Sequence, residues 1–394
     1  MFSRNNFFNT LEQKRIHLPT TIIQCAVTKQ LLREMLGDTW PVVVVHDQFI
    51  KTENYFDDVI TIRVSSEPTE KMLSEALSRI PYVNFSIVAL GGGSSIDLAK
   101  AILAQQVYGV WKGLGYGSAR YYADQNMKKE VLFIAIPTSP ASGSEVSRYF
   151  LIKDSRTRQK IVSRAWEICP DYALLDQSML ESMPLPQLIL SAFDAFIHAW
   201  ETYFCKYETS DFVRLIGADV MNRVLYSVAK LKSGLPVTND IRASLQFAAT
   251  EGGICLSNTR TGFLHTAGEA LSSEIELSHP QTLKVFFEGC LIQYKENIEF
   301  DFKELCPRLP AGFDNLEKII NFWNGVWVSF GLENQLSEVL SGQIVNLQAI
   351  RTMVLKDQVL LTKEHPSRLS DHALNEIISS GLVRYGAKLV SESG

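Results

Sequence analysis

Asp194 and His198 stand four residues apart in SAFDAFIHAWETYF, and His265 and His279 follow in GFLHTAGEALSSEIELSHPQ. Residues four apart share one face of a helix, so Asp194 and His198 can grip one ion. Three imidazoles and one carboxylate form a nitrogen and oxygen donor set suited to Fe(II), Zn(II), Co or Ni, and poorly suited to Mg or Ca. The chain has seven histidines. His17, His46, His365 and His372 lack such company and read as surface or loop residues, with His46 beside Asp47 and able to line a nucleotide edge.

Two loops could serve a second ligand. GGGSSIDLAKA (91 to 101) follows the apolar run FSIVAL and opens a helix-like stretch. Glycines let backbone N–H groups approach an anion, and a helix N-terminus adds partial positive charge, so a diphosphate fits there. A tight turn capped by Ser94 or Ser95 fits the same residues. The spacing is not the G-x-G-x-x-G of the common dinucleotide fold. PTSPASGSE (137 to 145) is a second loop after an apolar run, rich in hydroxyls and small residues. Loops at the carboxyl ends of neighbouring strands would enclose a nucleotide cleft. Asp47, directly after PVVVVH, could accept from a ribose diol and repel a 2′-phosphate, which favours NAD(H) over NADP(H); an acid there also fits a simple cap.

These residues need a scaffold, and the apolar pattern describes one. PVVVVH (41 to 46), DVITIRV (58 to 64), FSIVALGG (85 to 92) and EVLFIAIPTS (130 to 139) read as strands buried on both faces of a parallel sheet. TEKMLSEALSRI (69 to 80) and SSIDLAKAILAQQV (94 to 107) space their apolar residues as helices do. The array predicts an α/β N-terminal domain with a doubly wound, largely parallel, Rossmann-like sheet. After about residue 186 the strand signals fade, and LILSAFDAFIHAWETYF, RLIGADVMNRVLYSVAKLK, IRASLQFAATEGGICL and LEKIINFWNGVWVSFGL read as helices. MPLPQ marks the boundary near Leu185 to Gln187, giving a domain over 1–185 and an all-α domain over 186–394.

A chain of 394 residues suits two domains, and 46% hydrophobic with 21% charged residues is a soluble globular balance. No run of 18 apolar residues predicts a membrane span, and MFSRNNFFNTLEQKR lacks the apolar core of a secretory signal. A net charge of −5 without a basic run argues against nucleic acid. Six dispersed cysteines without a C-x-x-C pair fit reduced thiols and a cytoplasmic protein.

Taken in order, GGGSSIDLAKA, PTSPASGSEVSR, PDYALLDQSML with FDAFIHAWETYF, and GFLHTAGEALSSEIELSH resemble the motifs of the iron-dependent (group III) alcohol dehydrogenase family, which is related in fold to dehydroquinate synthase. The resemblance runs from about residue 40 to 285 and implies that Asp194, His198, His265 and His279 ligate a divalent metal, Fe2+ or Zn2+. It implies Asp47 at the adenosine ribose, Gly92, Gly93, Ser94 and Asp97 around the diphosphate, and Thr138, Ser139, Ser142 and Lys160 along the rest of NAD(H). The implied reaction is hydride transfer between nicotinamide and a small alcohol or aldehyde, in a homodimer. NTRTGFLH is similar to relatives acting on phosphonate-bearing aldehydes or acidic sugars, which points Arg260 at a substrate anion.

Three departures from the family pattern stand out. Glu269 occupies the position of a histidine credited with proton transfer, one helical turn from His265. Ala141 and Ser142 replace a glycine and a threonine, and IHLPTTIIQCAVTKQL lacks a glycine pair near the nucleotide. Two other readings are a dehydroquinate synthase-type cyclase or lyase that uses NAD transiently, and a nucleotide-binding protein whose catalysis has decayed. A glutamate with two histidines would suit the cyclase, whereas Asp194 with three histidines suits the dehydrogenase.

Overall fold

The computed structural model describes residues 16–37, 41–80, 85–109, 111, 131–206, 209–356, 366 and 369–390. The stretch MFSRNNFFNTLEQKR and His365 lie outside the described residues. The first half runs β1 (Thr21–Gln24), α1 (Lys29–Leu36), β2 (Val42–Asp47), β3 (Ile60–Val64), α2 (Glu70–Leu77), β4 (Ser86–Gly91), α3 (Gly93–Tyr108), β5 (Phe133–Pro137), β6 (Tyr149–Lys153), β7 (Lys160–Arg164) and β8 (Tyr172–Leu175). Six of these strands form one parallel sheet in the order β1-β8-β5-β4-β2-β3.

The four apolar runs of the sequence are β2, β3, β4 and β5, and their continuity has a direct cause. Val43, Val45, Ile87, Ala89, Phe133 and Ala135 pack into one layer with α2 and α3, while Val44, Val88, Leu90, Ile134 and Ile136 pack into the opposite layer with Leu32 and Leu36 of α1. A sheet covered on both faces leaves no polar positions to alternate. His46 belongs to this sheet: it is buried on β2, not a surface or loop residue, and Nδ1 bonds the Asp47 carbonyl at 2.9 Å. β6 and β7 pair antiparallel against the outer side of α3. Their sequences, YFLIK and KIVSR, are short and half-polar, which hides them from a search for apolar runs.

The second half runs α4 (Leu185–Tyr203), α5 (Asp211–Lys232), α6 (Asn239–Asn258), α7 (Phe263–Glu274), α8 (His279–Leu305), α9 (Leu316–Ser329), α10 (Leu332–Leu340), β9 (Ile344–Asn346), α11 (Leu347–Lys356), α12 (Asp371–Arg384) and β10 (Lys388–Val390). Among the described residues its regular elements are helical apart from the parallel pair β9 and β10, which Gly342 and Gly386 admit by taking φ of 76° and 81°. The prolines of MPLPQ begin a helix: Pro184 caps α4 and Pro186 lies in its first turn, where no N–H is missed.

α4 is buried at every residue from Leu188 to Tyr203. Such a helix must be apolar all round, and Phe193 packs edge-on against Phe287, Trp323 and Trp327. Asp194, His198 and Glu201 are the acidic or imidazole exceptions within it. Helix starts are set by side-chain caps: Ser210, Thr238 and Ser370 accept from the N–H three residues on, and Ser278 with Gln281 forms a capping box ahead of α8. No helix among the described residues is long and apolar enough to cross a membrane.

Candidate metal and dinucleotide cleft

β4 ends at Gly91 and α3 begins at Gly93, so the glycine loop is the first turn of a helix that follows a central strand. These glycines answer to close approach. A Cβ at Gly91 would stand 2.5 Å from Ser95 Oγ and 2.7 Å from Asp47 Oδ1, and one at Gly93 would stand 2.7 Å from Ser142 Oγ. The glycine loop and the hydroxyl loop therefore touch.

Asp47 lies beneath that contact. Its Oδ2 accepts from the Gly92 N–H at 2.9 Å and from the Thr138 hydroxyl at 3.0 Å, and its Oδ1 accepts from the Ser95 hydroxyl at 2.7 Å. Asp47, Gly92 and Thr138 form a supporting layer. The cleft itself, about 990 Å³, has Gly93, Ser94, Asp97, Ser139, Ser142, Lys160, Arg260 and Glu269 in its wall, together with Asp194, His198, His265 and His279.

Asp97 lines the cleft with both carboxylate oxygens engaged by the chain. Oδ1 accepts from Ser144 Oγ at 2.6 Å and Oδ2 from the Leu151 N–H at 3.0 Å. Lys100, one turn on, is fully buried and donates to Ser144 Oγ, the Ser147 carbonyl and the Tyr149 carbonyl at 2.7–2.9 Å. Together the two residues of α3 clamp the end of the hydroxyl loop. Lys160 Nζ lies 2.5 Å from Glu67 Oε1, and Lys153 reaches Oε2 at 3.4 Å. Burial works to raise the Glu67 pKa, but the two lysines outweigh it and hold the carboxyl below its ordinary range.

The hydroxyl loop also meets the helical half. Gly143, at φ 60°, would carry a Cβ 2.5 Å from the Ala249 carbonyl oxygen and from Gly253 Cα, and a Cβ on Gly253 would strike the Gly143 backbone in turn. The Thr250 hydroxyl donates to Glu145 Oε1 at 2.6 Å. The Ala141 backbone acts on the His198 ring and works to raise its pKa, so one loop adjoins both the glycine turn and a candidate ligand.

The four candidate ligands come from three helices. Asp194 and His198 lie on α4, His265 on α7, and His279 is the first residue of α8. Ligand atoms of Asp194, His198 and His265 lie within 4.8 Å of one another. Asp194 Oδ1 is 3.5 Å from His279 Nε2 and 3.9 Å from His265 Nε2. Two atoms each about 2.1 Å from one ion stand roughly 3–4 Å apart, so these spacings fit shared coordination. Asp194 Oδ1 and His265 Nε2, which face each other in this cluster, are buried with no hydrogen-bond partner. A divalent ion would satisfy such atoms, which are costly to leave unpaired.

Electrostatics agree with that fit. Burial pushes His198 down to about 4 against the pull of Asp194, and it lowers His279 as well, with help from Lys160. Neutral imidazoles are the form that binds metal. At His265 burial is outweighed by Glu201, and the pKa is raised.

Glu201, Lys100 and Glu67 escape a reading of the sequence. Glu201 did leave a signal: it is a second acid on the otherwise apolar α4, seven residues after Asp194 and therefore on the same face. It is buried and accepts from Gly262 N–H, Leu264 N–H and His265 Nδ1 at 2.6–2.7 Å.

A family profile described as iron-containing alcohol dehydrogenase matches residues 19–177, and the C-terminal profile of the Fe-containing alcohol dehydrogenase family matches residues 188–380. The chain belongs to the iron-containing alcohol dehydrogenase family. Among curated relatives, an alcohol dehydrogenase of Thermococcus barophilus is 28% identical over 237 residues, covering 56% of this chain and 59% of that protein. The bifunctional aldehyde-alcohol dehydrogenase AdhE of Escherichia coli (strain K12) is 26% identical over 268 residues, covering 60% of this chain and 29% of AdhE. The matched region thus spans less than two thirds of either relative. Among solved structures, the iron-containing alcohol dehydrogenase of Thermococcus thioreducens aligns over 94% of this chain and 100% of its own, with a TM-score of 0.74 and 22% identity. The sulfoacetaldehyde reductase of Bifidobacterium kashiwanohense, solved with NAD+, aligns over 94% and 99%, with a TM-score of 0.74 and 16% identity. At these identities the structures show a shared iron-containing alcohol dehydrogenase fold.

Proposed function

We propose that this chain is a metal-dependent, NAD(H)-linked alcohol dehydrogenase or aldehyde reductase acting on a small polar substrate that carries an anionic group. The observation that carries this reading is the convergence of Asp194, His198, His265 and His279 in the same cleft as the two loops, with Asp194 Oδ1 and His265 Nε2 buried and unpartnered. A decayed site would have lost members of such a set, and a carboxylate with three histidines favours the dehydrogenase over the cyclase.

Asp194, His198, His265 and His279 would hold Fe2+ or Zn2+ and the two loops with Lys160 would hold NAD(H), which supply Lewis acidity at the substrate oxygen and a hydride donor or acceptor. The first turn of α3 offers its N–H groups and positive end to the diphosphate, with Ser94, Ser139 and Ser142 adding hydroxyls. Asp47 keeps the glycine loop in register, and its charge disfavours a 2′-phosphate and hence NADP(H). Glu269, half-buried one turn after His265, passes a proton at its carboxylate to or from the substrate oxygen, through water where the gap requires it. Arg260 offers a planar fork of donors to a carboxylate, phosphonate or sulfonate. The neighbour named as a sulfoacetaldehyde reductase supports that choice of substrate class.

Two domains, 1–185 and 186–394, are part of this reading, supported by the apolar cluster whose buried members run from Leu188 to Ala387. Homodimer formation and cytoplasmic residence complete it; six free cysteines support the latter, and a solution mass measurement checks the former. NADH consumption should be followed with aliphatic, sugar-derived, carboxylated and phosphonylated or sulfonylated aldehydes, with Fe(II) or Zn(II) and again with chelator. Turnover on the anionic aldehydes that chelator abolishes is the expected result. Chelator-resistant turnover would remove the metal from the proposal, and preference for uncharged aldehydes would remove the anion.

A further inference from the structure

Glu201 does more than fill space in α4. Its Oε1 accepts from the Leu264 N–H at 2.6 Å, and its Oε2 accepts from the Gly262 N–H at 2.7 Å and bonds His265 Nδ1 at 2.6 Å. We propose that Glu201 is a positioning residue that locks His265 in the tautomer protonated at Nδ1, so that the Nε2 lone pair faces Asp194 and is free for the ion. This rests on the metal reading above.

The argument turns on which groups can donate. A carboxylate only accepts, and the Gly262 and Leu264 N–H groups only donate to it. A neutral His265 bonded to that carboxylate must likewise give Glu201 its proton from Nδ1. Nε2 is left with its lone pair, and that atom is the one without a hydrogen-bond partner, 3.9 Å from Asp194 Oδ1. Glu201 sits on the helix that already supplies Asp194 and His198, and it grips the first residues of α7, where Gly262 lacks a capping side chain of its own. The same carboxylate therefore ties one ligand's helix to another's and sets the proton on the ring between them. An anion at the start of α7 is also favoured by that helix's dipole.

Glutamine at this position keeps the shape and breaks the logic. An amide has one accepting oxygen and one donating nitrogen. If its nitrogen faces Leu264, two N–H groups oppose each other. If it faces Gly262 and His265, the ring must accept at Nδ1, which moves the ring proton to Nε2 and blocks the metal. Partners of this kind typically change metal affinity by about 10–100-fold.

The experiment compares wild-type protein, Glu201→Gln and Asp194→Ala by chelator competition for Zn(II), with NADH binding to the metal-free proteins measured by fluorescence. Glu201→Gln should bind Zn(II) about 10–100-fold more weakly than wild type while NADH binding is unchanged. Wild-type Zn(II) affinity in Glu201→Gln would overturn the proposal. Should that variant not fold, nitrogen NMR of the histidine rings in zinc-loaded wild type decides: His265 is expected protonated at Nδ1 and coordinated through Nε2, and the opposite assignment overturns the role of Glu201. If wild type binds Zn(II) no better than Asp194→Ala, the metal reading itself falls and takes this proposal with it.

Discussion

Glu269 lies one turn beyond His265 in the cleft wall, and its charge acts on that ring. A carboxylate that relays protons should matter to kcat more than to cofactor binding. Glu269→Gln is expected to lower kcat by at least about 10²-fold with the KM for NADH unchanged; unaltered turnover and an unaltered pH profile would leave Glu269 as a helix-pairing acid. The histidines give a second expectation at this scale. Burial keeps His198 and His279 neutral in weak acid, whereas at His265 burial is outweighed by Glu201, and the ring holds its proton to higher pH. Metal must displace that proton, so Zn(II) affinity should still be rising as pH climbs past the ordinary histidine value of 6.5 and should level off only above the raised pKa of His265. A plateau reached below pH 6.5 in chelator titrations would contradict this. The candidate ligands were legible because four chemically apt side chains have telling spacings. The roles of Asp47 and Asp97 were less so, because a sequence does not say whether a carboxylate faces a ligand or its own backbone.

At the scale of elements, α3 is the piece on which the nucleotide half depends. Its first turn faces the cleft, and its second and third turns carry Asp97 and Lys100, which clamp the chain between Ser144 and Leu151. Replacing Lys100 with Met would remove the buried positive charge beside Asp97 and one donor each from the Ser147 and Tyr149 carbonyls. A loss of roughly 3–5 kcal/mol in unfolding free energy is expected from denaturant titration, with weakened NADH binding in whatever remains folded. A variant as stable as wild type would show that the clamp is dispensable. The element itself was plain in the sequence, since the strand before it and its apolar spacing are strong signals. Lys100 was not, because a lysine in IDLAKAIL looks like a solvent-facing position until β6 is found packed over it. That hairpin went unread because five-residue strands of mixed polar and apolar side chains leave little periodicity to detect.

For the whole molecule, the sheet order brings the ends of β2, β4 and β5 side by side, and the helical half closes the cleft above them. The candidate ligands come from α4, α7 and α8, so a bound ion would join segments far apart in the chain. Anything that binds the folded state alone stabilises it, by about 2.7 kcal/mol at a hundred times its Kd. Saturating Zn(II) should therefore raise the melting temperature, and chelator should lower it again; melting curves indifferent to both would mean that no ion bridges the three helices. The alternation of strands and helices, then helices alone, was legible because each half follows one periodicity. What escaped was the contact between the halves, where Thr250 and Gly253 of α6 meet the hydroxyl loop and Ser257 meets Arg148 just after it. Nothing local marks such residues, since their partners lie about a hundred positions away.

The meeting of Gly143 with Gly253 bears on how this protein can change over time. Each backbone occupies the volume that the other's first side-chain carbon would need, and Gly143 is further confined by its positive φ. A methyl group at either position has no room unless the loop withdraws, and the loop is tethered to the glycine turn through Thr138 on one side and to Thr250 through Glu145 on the other. The usual route of gradual replacement, one small residue for a slightly larger one, is closed at both positions together. Variation in cofactor or substrate preference must then enter through residues around this contact while the pair itself stays fixed.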